Sequence, residues 1–126
     1  MIKMYGIPNC DTIKKAKKWL KTHNIEYTFH DYKKDGVDSD VLKQSIHATA
    51  VDQVVNKRGT TYRKLSESQQ QQLSEDEPNI DYVIELLCQH PSMIKRPILV
   101  KKIGEQKASY ILGFSESSYQ ALFDGA

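Results

Sequence analysis

A strand, a helix and a second strand follow one another at the start of the chain, and this order restricts the fold more than any other feature. Residues 2–5 have the composition of a short strand, which ends at the turn-forming residues 6–9. In residues 11–21, apolar side chains recur at helical spacing. Residues 25–29 alternate apolar and polar types, which predicts a second strand running to position 30 or 31. This order is typical of a parallel βαβ crossover.

The middle of the chain reads as mainly helical. Asp38 or Ser39 is expected to cap a second helix. Residues 53–56 fit either a helix or an extended segment, residues 57–61 read as a loop, and a further amphipathic helix is predicted after Pro78. We therefore predict a helical insertion at about residues 38–93.

The last third returns to strands. Residues 97–100 and 110–112 predict two strands that form an antiparallel hairpin through a turn at Gly104. Ser115 is expected to cap a closing helix. The predicted order is β-α-β-α, the helical insertion, then β-β-α, in a single α/β domain over residues 1–126.

Net charge and the distribution of apolar residues argue against nucleic acid and membranes as partners. A net charge of +2 over 126 residues is too small to indicate a nucleic-acid binder, and no apolar run is long enough for a membrane span. A strand begins directly after Met1, so we expect no targeting segment and a cytoplasmic location. The two cysteines are expected to be free thiols in that reducing compartment.

Charge is distributed unevenly along the chain. Residues 66–94 contain six acidic residues and no lysine or arginine, whereas both flanks are basic. Because an insertion brings its flanks together, the two basic stretches are expected to converge on an anion site. The basic residues are Lys57, Arg58, Arg63 and Lys64 before the acidic segment, and Lys95, Arg96, Lys101, Lys102 and Lys107 after it.

Cys10 is the candidate nucleophile. It stands where the first strand turns into the first helix, and the free amides and dipole of a helix N-terminus favour a thiolate. Lys14, one helical turn further, adds a positive charge. The alternative is a buried structural cysteine, which the polar residues around Cys10 disfavour. Cys88 extends the apolar face of a predicted helix, so a structural role in the core is expected for it.

Other chemistries find little support in the sequence. The four histidines have no metal-ligand spacing, and no metal site is expected. His30 and Asp31 are neighbours on a strand and point to opposite faces, so they are not expected to act as an acid–base pair. No nucleophile elbow or phosphate-binding glycine loop is present.

Four separated segments resemble the arsenate reductase (ArsC-like) family, and most of all its YffB branch. They are Gly-Ile-Pro-Asn-Cys-Asp-Thr-Ile-Lys-Lys-Ala at residues 6–16, Arg-Gly-Thr-Thr at 58–61, Ile-Lys-Arg-Pro at 94–97 and Leu-Gly-Phe-Ser at 112–115. The resemblance implies a thioredoxin-like fold with a helical insertion and a catalytic cysteine at Cys10. It also implies oxyanion-binding arginines at Arg58 and Arg96, and a cis-proline at Pro97 that faces the cysteine.

The sequence departs from the family pattern at two places. Arsenate reductases of this type carry Ser or Thr three residues after the cysteine and then an arginine, whereas this chain has Ile13 and Lys14. Their third arginine lies on the strand after the arginine–proline strand, where this chain has Lys107, Ser109 and Tyr110. The oxyanion pocket is therefore expected to be one guanidinium short.

Two functions fit these residues. The first is a thiol-dependent reductase with no bound cofactor, in which Cys10 attacks a small oxyanion or a disulfide and glutathione, or glutaredoxin as a second candidate, resolves the intermediate. Arg58 and Arg96 suit the carboxylates of glutathione, with Arg63 as a third candidate. The second is an Spx-like binding module that docks on a partner such as RNA polymerase. Ile13 replaces the second cysteine of many Spx regulators, which excludes a local Cys-x-x-Cys switch.

Overall fold

Strands of the computed structural model form one mixed sheet, and the structure describes residues 1–8, 10–102 and 107–124. Within these residues the strands are β1 (Ile2–Gly6), β2 (Thr28–Asp31), β3 (Ile98–Lys102) and β4 (Ala108–Leu112). Their order is β2-β1-β3-β4, with β1 parallel to β2 and the other two pairs antiparallel. The predicted crossover and hairpin pairing are confirmed. The predicted turn at Gly104, and Asn9 of the first turn, lie outside the described residues.

Helices occupy most of the remaining described chain. They are α1 (Asp11–Thr22), α2 (Tyr32–Asp35), α3 (Ser39–Ala48), α4 (Val51–Val54), α5 (Thr60–Arg63), α6 (Glu67–Gln72), α7 (Ile80–Gln89) and α8 (Glu116–Asp124), with a 3₁₀ turn at Pro91–Met93. None of the helices in the described part of the chain combines the length and the apolar character that a membrane crossing requires.

The chain divides into two compact units. The core unit comprises Met1–Gly36 and Arg96–Ala126, and the insertion unit comprises Val37–Lys95. The predicted insertion at about residues 38–93 falls within the insertion unit.

One row of side chains across the sheet forms the centre of the core unit. Met4 pairs with Phe29 on one side and with Leu99 on the other, and Leu99 pairs with Ile111. Residues in register on neighbouring strands point to the same face, and all four belong to one apolar cluster. The helices α1 and α8 cover this face, and they contribute the fully buried residues Ile13, Ala16, Leu20 and Tyr119.

The end of β1 and the first turn of α1 approach each other closely. A Cβ atom on Gly6 would overlap the side chain of Ile13. Glycine at this position therefore lets α1 begin directly beside the sheet. The contact packs the first turn of α1, which follows Cys10, against the end of β1.

The second strand starts later than the sequence indicates. The chain after α1 turns through Asn24, which has a φ of 57°, and the amide of Ile25 bonds the carbonyl of Leu20 at 2.9 Å. Residue 25 therefore completes the helix terminus instead of pairing in the sheet. The short helix α2 was also not predicted. Asp31 caps it by accepting the amide of Lys33 at 2.9 Å.

The insertion unit packs its helices around its own apolar side chains. Asp38 caps α3, as predicted, with its carboxylate accepting the amides of Asp40 and Val41. Residues 53–56 combine both predicted alternatives, because α4 ends at Val54 and Val55 forms an antiparallel bridge with Ile94. The predicted loop at residues 57–61 is shorter than expected, since α5 begins at residue 60.

Tyr119 provides a test of the core. Its ring is fully buried, and its hydroxyl has no hydrogen-bond partner among the described residues. We expect Tyr119→Phe to leave the free energy of unfolding near neutral pH unchanged or to raise it by up to about 1 kcal/mol, because it removes an unsatisfied buried group. Urea unfolding measures this, with Tyr119→Leu as the control that loses the ring contacts to Trp19 and Phe114.

Tyr119→Phe also tests how alkaline pH changes the stability of the protein. Burial raises the pKa of the Tyr119 hydroxyl, so the folded protein keeps this proton to higher pH than the unfolded chain does. The free energy of unfolding is therefore insensitive to this group below its unfolded pKa of about 10 and falls as the pH rises above that value. The urea midpoint of the wild type should therefore fall more between neutral pH and about pH 10.5 than that of Tyr119→Phe. Equal falls in both proteins would contradict the assignment.

Candidate active site

Cys10 is the N-cap residue of α1. Its backbone is extended, with φ −134° and ψ 128°, and its carbonyl accepts the amide of Lys14 at 3.0 Å. The first amides of a helix have no partner within the helix and carry its positive end. The Cys10 side chain is half-buried and makes no capping hydrogen bond within the described part of the chain. A thiolate at this position lies beside the positive end of α1.

The sheet register brings other residues to the same edge. The parallel strands β1 and β2 both end there, with Gly6 opposite Asp31. Tyr5, near the end of β1, pairs with Ile98, the first residue of the antiparallel strand β3. The segment just before β3 therefore lies at the same edge of the sheet as the segment that leads from β1 to Cys10. Arg96 and Pro97 form the segment before β3. Cys10, Arg96 and Pro97 therefore share one edge of the sheet in the core unit.

Pro97 is held at this edge by the end of β4. The peptide bond between Arg96 and Pro97 is cis, which is the geometry that the resemblance implies. The carbonyl of Pro97 accepts the amide of Gly113 at 2.8 Å. Gly113 has a φ of 79°, a conformation that favours glycine. From the sequence, Gly113 is expected only to end a strand, although a glycine directly after a strand is also a signal for such a turn.

Arg96 is the positive side chain that the structure places at the Cys10 edge. It is half-buried, and no carboxylate among the described residues lies within ion-pair distance of its guanidinium. Such a guanidinium can bind an anion with two parallel hydrogen bonds.

The three lysines of the second basic stretch that follow Arg96 lie elsewhere in the core unit. Lys101 and Lys102 are at the far end of β3, about 10 Å or more along the strand from Ile98, and Lys107 precedes β4 at that same far edge. The ammonium of Lys101 donates to the carbonyl of Leu122 at 3.1 Å and so stabilises the end of α8. The expected convergence on an anion site is therefore wrong for these three lysines.

The other predicted site residues are exposed. Lys14 lies on the solvent side of the first turn of α1. Arg58 and Arg63 belong to the insertion unit, in the turn before α5 and in α5 itself. Within that unit the amide of Lys95 bonds the carbonyl of Val54 at 2.7 Å, so the segment leading to Arg58 runs beside the segment at Ile94 and Lys95. The anion-binding role of Arg58 stays a prediction.

His30 and Asp31 make separate local contacts. The His30 ring shares a 2.7 Å hydrogen bond with the carbonyl of Gly36 and packs on Tyr5, whereas Asp31 caps α2. No group of three or more His, Cys, Asp or Glu side chains suited to a metal ion occurs within residues 1–8, 10–102 and 107–124.

Cys88 lies near the C-terminal end of a helix, whereas Cys10 lies at the N-terminal end of one. Cys88 belongs to α7 and is exposed, so the expectation of a core position is wrong. The helix turns Val83 and Leu87 inward, and Cys88 falls just outside the buried stripe. Partial burial among its neighbours nevertheless raises the pKa of its thiol.

A cysteine at the start of the first helix and a cis-proline at the same sheet edge define a thioredoxin-like site. The ArsC family model matches residues 5–122, and the chain belongs to this family. It is similar to an uncharacterized protein of Haemophilus influenzae, with 43% identity over 98% of this chain and 99% of that protein.

Solved structures of related proteins agree with this fold. A YffB protein is 39% identical, covers 96% of this chain and 97% of its own, and has a TM-score of 0.79. An arsenate reductase (ArsC) related protein from Brucella melitensis is 41% identical, covers 97% of this chain and 93% of its own, and has a TM-score of 0.67.

Regulators are also among the relatives. The regulatory protein MgsR of Bacillus subtilis is 31% identical over 76% of this chain and 73% of its own. The global transcriptional regulator Spx of Listeria innocua is 26% identical over 79% of this chain and 73% of its own.

The contrast between the two thiols is directly testable. We expect iodoacetamide at about pH 7 to alkylate Cys10 at least about tenfold faster than Cys88, because a helix N-terminus favours a thiolate whereas a helix C-terminus and burial oppose it. Intact-mass measurements on Cys88→Ser and Cys10→Ser give each rate separately. Equal rates in the two variants would refute this account of the Cys10 environment.

Proposed function

We propose that this protein is a glutathione-dependent reductase in which Cys10 is the nucleophile, with a disulfide as the principal substrate and arsenate as a secondary one. The observation that carries the proposal is the placement of Cys10 at the N-terminus of α1, on the sheet edge that also holds Arg96 and the cis-Pro97. This places a thiol beside the positive end of a helix, on the same sheet edge as a guanidinium available to an anion.

The reaction follows from thiol chemistry. The Cys10 thiolate attacks one sulfur of the disulfide, forms a mixed disulfide with it and releases the other sulfur as a thiolate. A glutathione thiolate then attacks the substrate-derived sulfur and releases Cys10 as a thiolate. A second glutathione reduces the resulting glutathione mixed disulfide. In sum, two glutathione molecules are oxidised to their disulfide and one substrate disulfide is reduced to two thiols.

The preference for a disulfide over an oxyanion rests on the first turn of α1. Arsenate reductases of this type have Ser or Thr three residues after the cysteine, and here that position is Ile13, which is fully buried in the core. It offers no hydroxyl to an oxyanion. Lys14 follows in place of an arginine, and an ammonium cannot bind an oxyanion in the bidentate manner of a guanidinium.

Arg96 is assigned to a glutathione carboxylate, with Arg58 as the second candidate and Arg63 as a third. The proposal includes no bound cofactor, no nucleic acid and no membrane, a cytoplasmic location, and glutaredoxin as an alternative source of the resolving thiol.

Reduction of 2-hydroxyethyl disulfide by glutathione, coupled to glutathione reductase, tests these roles. We expect Cys10→Ser to abolish turnover, and Arg96→Ala to raise the KM for glutathione about tenfold while Cys10 is still alkylated at the wild-type rate. Lys102→Ala is the matched control, because it removes an exposed positive charge at the far end of β3 and should leave the KM unchanged.

Turnover by Cys10→Ser at the wild-type rate would end the reductase proposal. If Cys10 is required but Arg96→Ala leaves the KM for glutathione unchanged, Cys10 remains the nucleophile and the binding of a glutathione carboxylate by Arg96 is rejected. Assays with arsenate in place of the disulfide rank the two substrates.

A binding function is the second candidate, and the similarity to MgsR and Spx favours it. In that case the fold docks on a larger partner such as RNA polymerase, and Cys10 has no part in turnover. The binding function would be selected over the reductase by two results together. Purified RNA polymerase would bind the wild type and Cys10→Ser equally, and the wild type would not reduce disulfides.

A further inference from the structure

A groove on the surface of the core unit runs between α1 and α8. It consists of two adjoining cavities of about 450 and 320 Å³, which share Trp19, His23 and Gln120. Both volumes are within the range of protein sites that accept a small ligand or a few side chains. The reductase reaction proposed above makes no use of this groove.

Aromatic rings form the floor of the groove. Trp19 is only 8% exposed, and its ring is stacked against His23 on one side at 3.9 Å and against Phe123 at 5.7 Å. The His23 ring also shares a 2.8 Å hydrogen bond with the carbonyl of Trp19. The rings are therefore held in place before any ligand arrives, which lowers the entropic cost of binding an apolar side chain.

The wall contributed by α1 is cationic. Lys15 and Lys18 line the larger cavity, are exposed, and lie one helical turn apart. Within the described part of the chain, no carboxylate approaches either ammonium to ion-pair distance. Lys17 does not belong to this wall, because its ammonium lies over the ring of Phe29 at 3.8 Å.

The opposite wall is mostly uncharged. Phe114 and Gln120 line it, and Glu116 is the one acidic residue that borders the cavity. The groove therefore combines an apolar floor, a hydrogen-bonding amide and an excess of positive charge. A ligand that complements it carries negative charge next to an apolar group.

We propose that the groove between α1 and α8 binds an acidic segment of a partner protein. An apolar side chain of the segment contacts the exposed His23 ring and the small part of Trp19 that lines the groove, and its carboxylates face Lys15 and Lys18. The restricted exposure of Trp19 favours a peptide over single-stranded nucleic acid, which requires accessible ring faces for its bases. Cys10 is not part of this surface, so binding and thiol exchange are separable.

Trp19 is the only tryptophan of the chain, so its fluorescence reports occupation of the groove directly. The probe is a short, capped peptide of glutamates around one phenylalanine, titrated at low ionic strength. We expect a saturable change in Trp19 fluorescence that weakens with added salt, and about tenfold weaker binding by Lys15→Glu/Lys18→Glu. In amide NMR spectra, shifts are expected along α1 and α8.

Matched controls separate the groove from general charge. Lys43→Glu/Lys102→Glu changes the net charge equally at exposed positions outside the groove, and it should bind as the wild type does. Cys10→Ser should bind unchanged, which distinguishes failure of this proposal from failure of the reductase.

Several results would overturn the proposal. They are the absence of a saturable signal, an equal response to the lysine version of the peptide, and retention of binding by Lys15→Glu/Lys18→Glu. Equal or tighter binding of oligo-uridylate or of anionic vesicles at the same groove would assign the cationic wall to nucleic acid or lipid instead.

Discussion

The packing of α1 against the centre of the sheet is the contact on which the rest of the core unit depends. Ile13, Ala16 and Leu20 cover the row that contains Met4 and Leu99, and all three are fully buried in this cluster. Because Gly6 has no side chain, the first turn of the helix can approach the end of β1. The same contact that stabilises the core therefore also positions the N-terminus of α1.

The position of this helix is the basis for the expected difference in reactivity between the Cys10 and Cys88 thiols. Both residues lie on helices, but at opposite ends of the helix dipole. The register of β1 with β3 adds Arg96 and Pro97 to the edge near Cys10, and the bond from Gly113 to Pro97 holds that edge together. Lys101, by contrast, contributes to the end of α8. Lys101 and Arg96, on the same strand and the segment before it, therefore occupy opposite ends of β3.

Sequence periodicity predicted the elements whose side chains pack regularly, such as α1, α7 and the antiparallel hairpin. It missed α2 and the late start of β2, because both are set by local hydrogen bonds around Asp31 and Asn24 instead of by an apolar pattern. Cys10 could be chosen from the sequence alone, since a strand–turn–helix boundary is a local signal. The role proposed for Arg96 was suggested by the family resemblance, whereas the contact of Gly113 with Pro97 is a tertiary hydrogen bond that no local pattern predicts.

Transfer of glutathione onto the protein tests the central claim most directly. Reduced wild-type protein is mixed with glutathione disulfide at about pH 7, digested without reductant, and analysed by mass spectrometry. The account predicts a mixed disulfide on Cys10, none on Cys88, and release of the adduct by excess reduced glutathione. An adduct confined to Cys88, or none at all on Cys10, would contradict it.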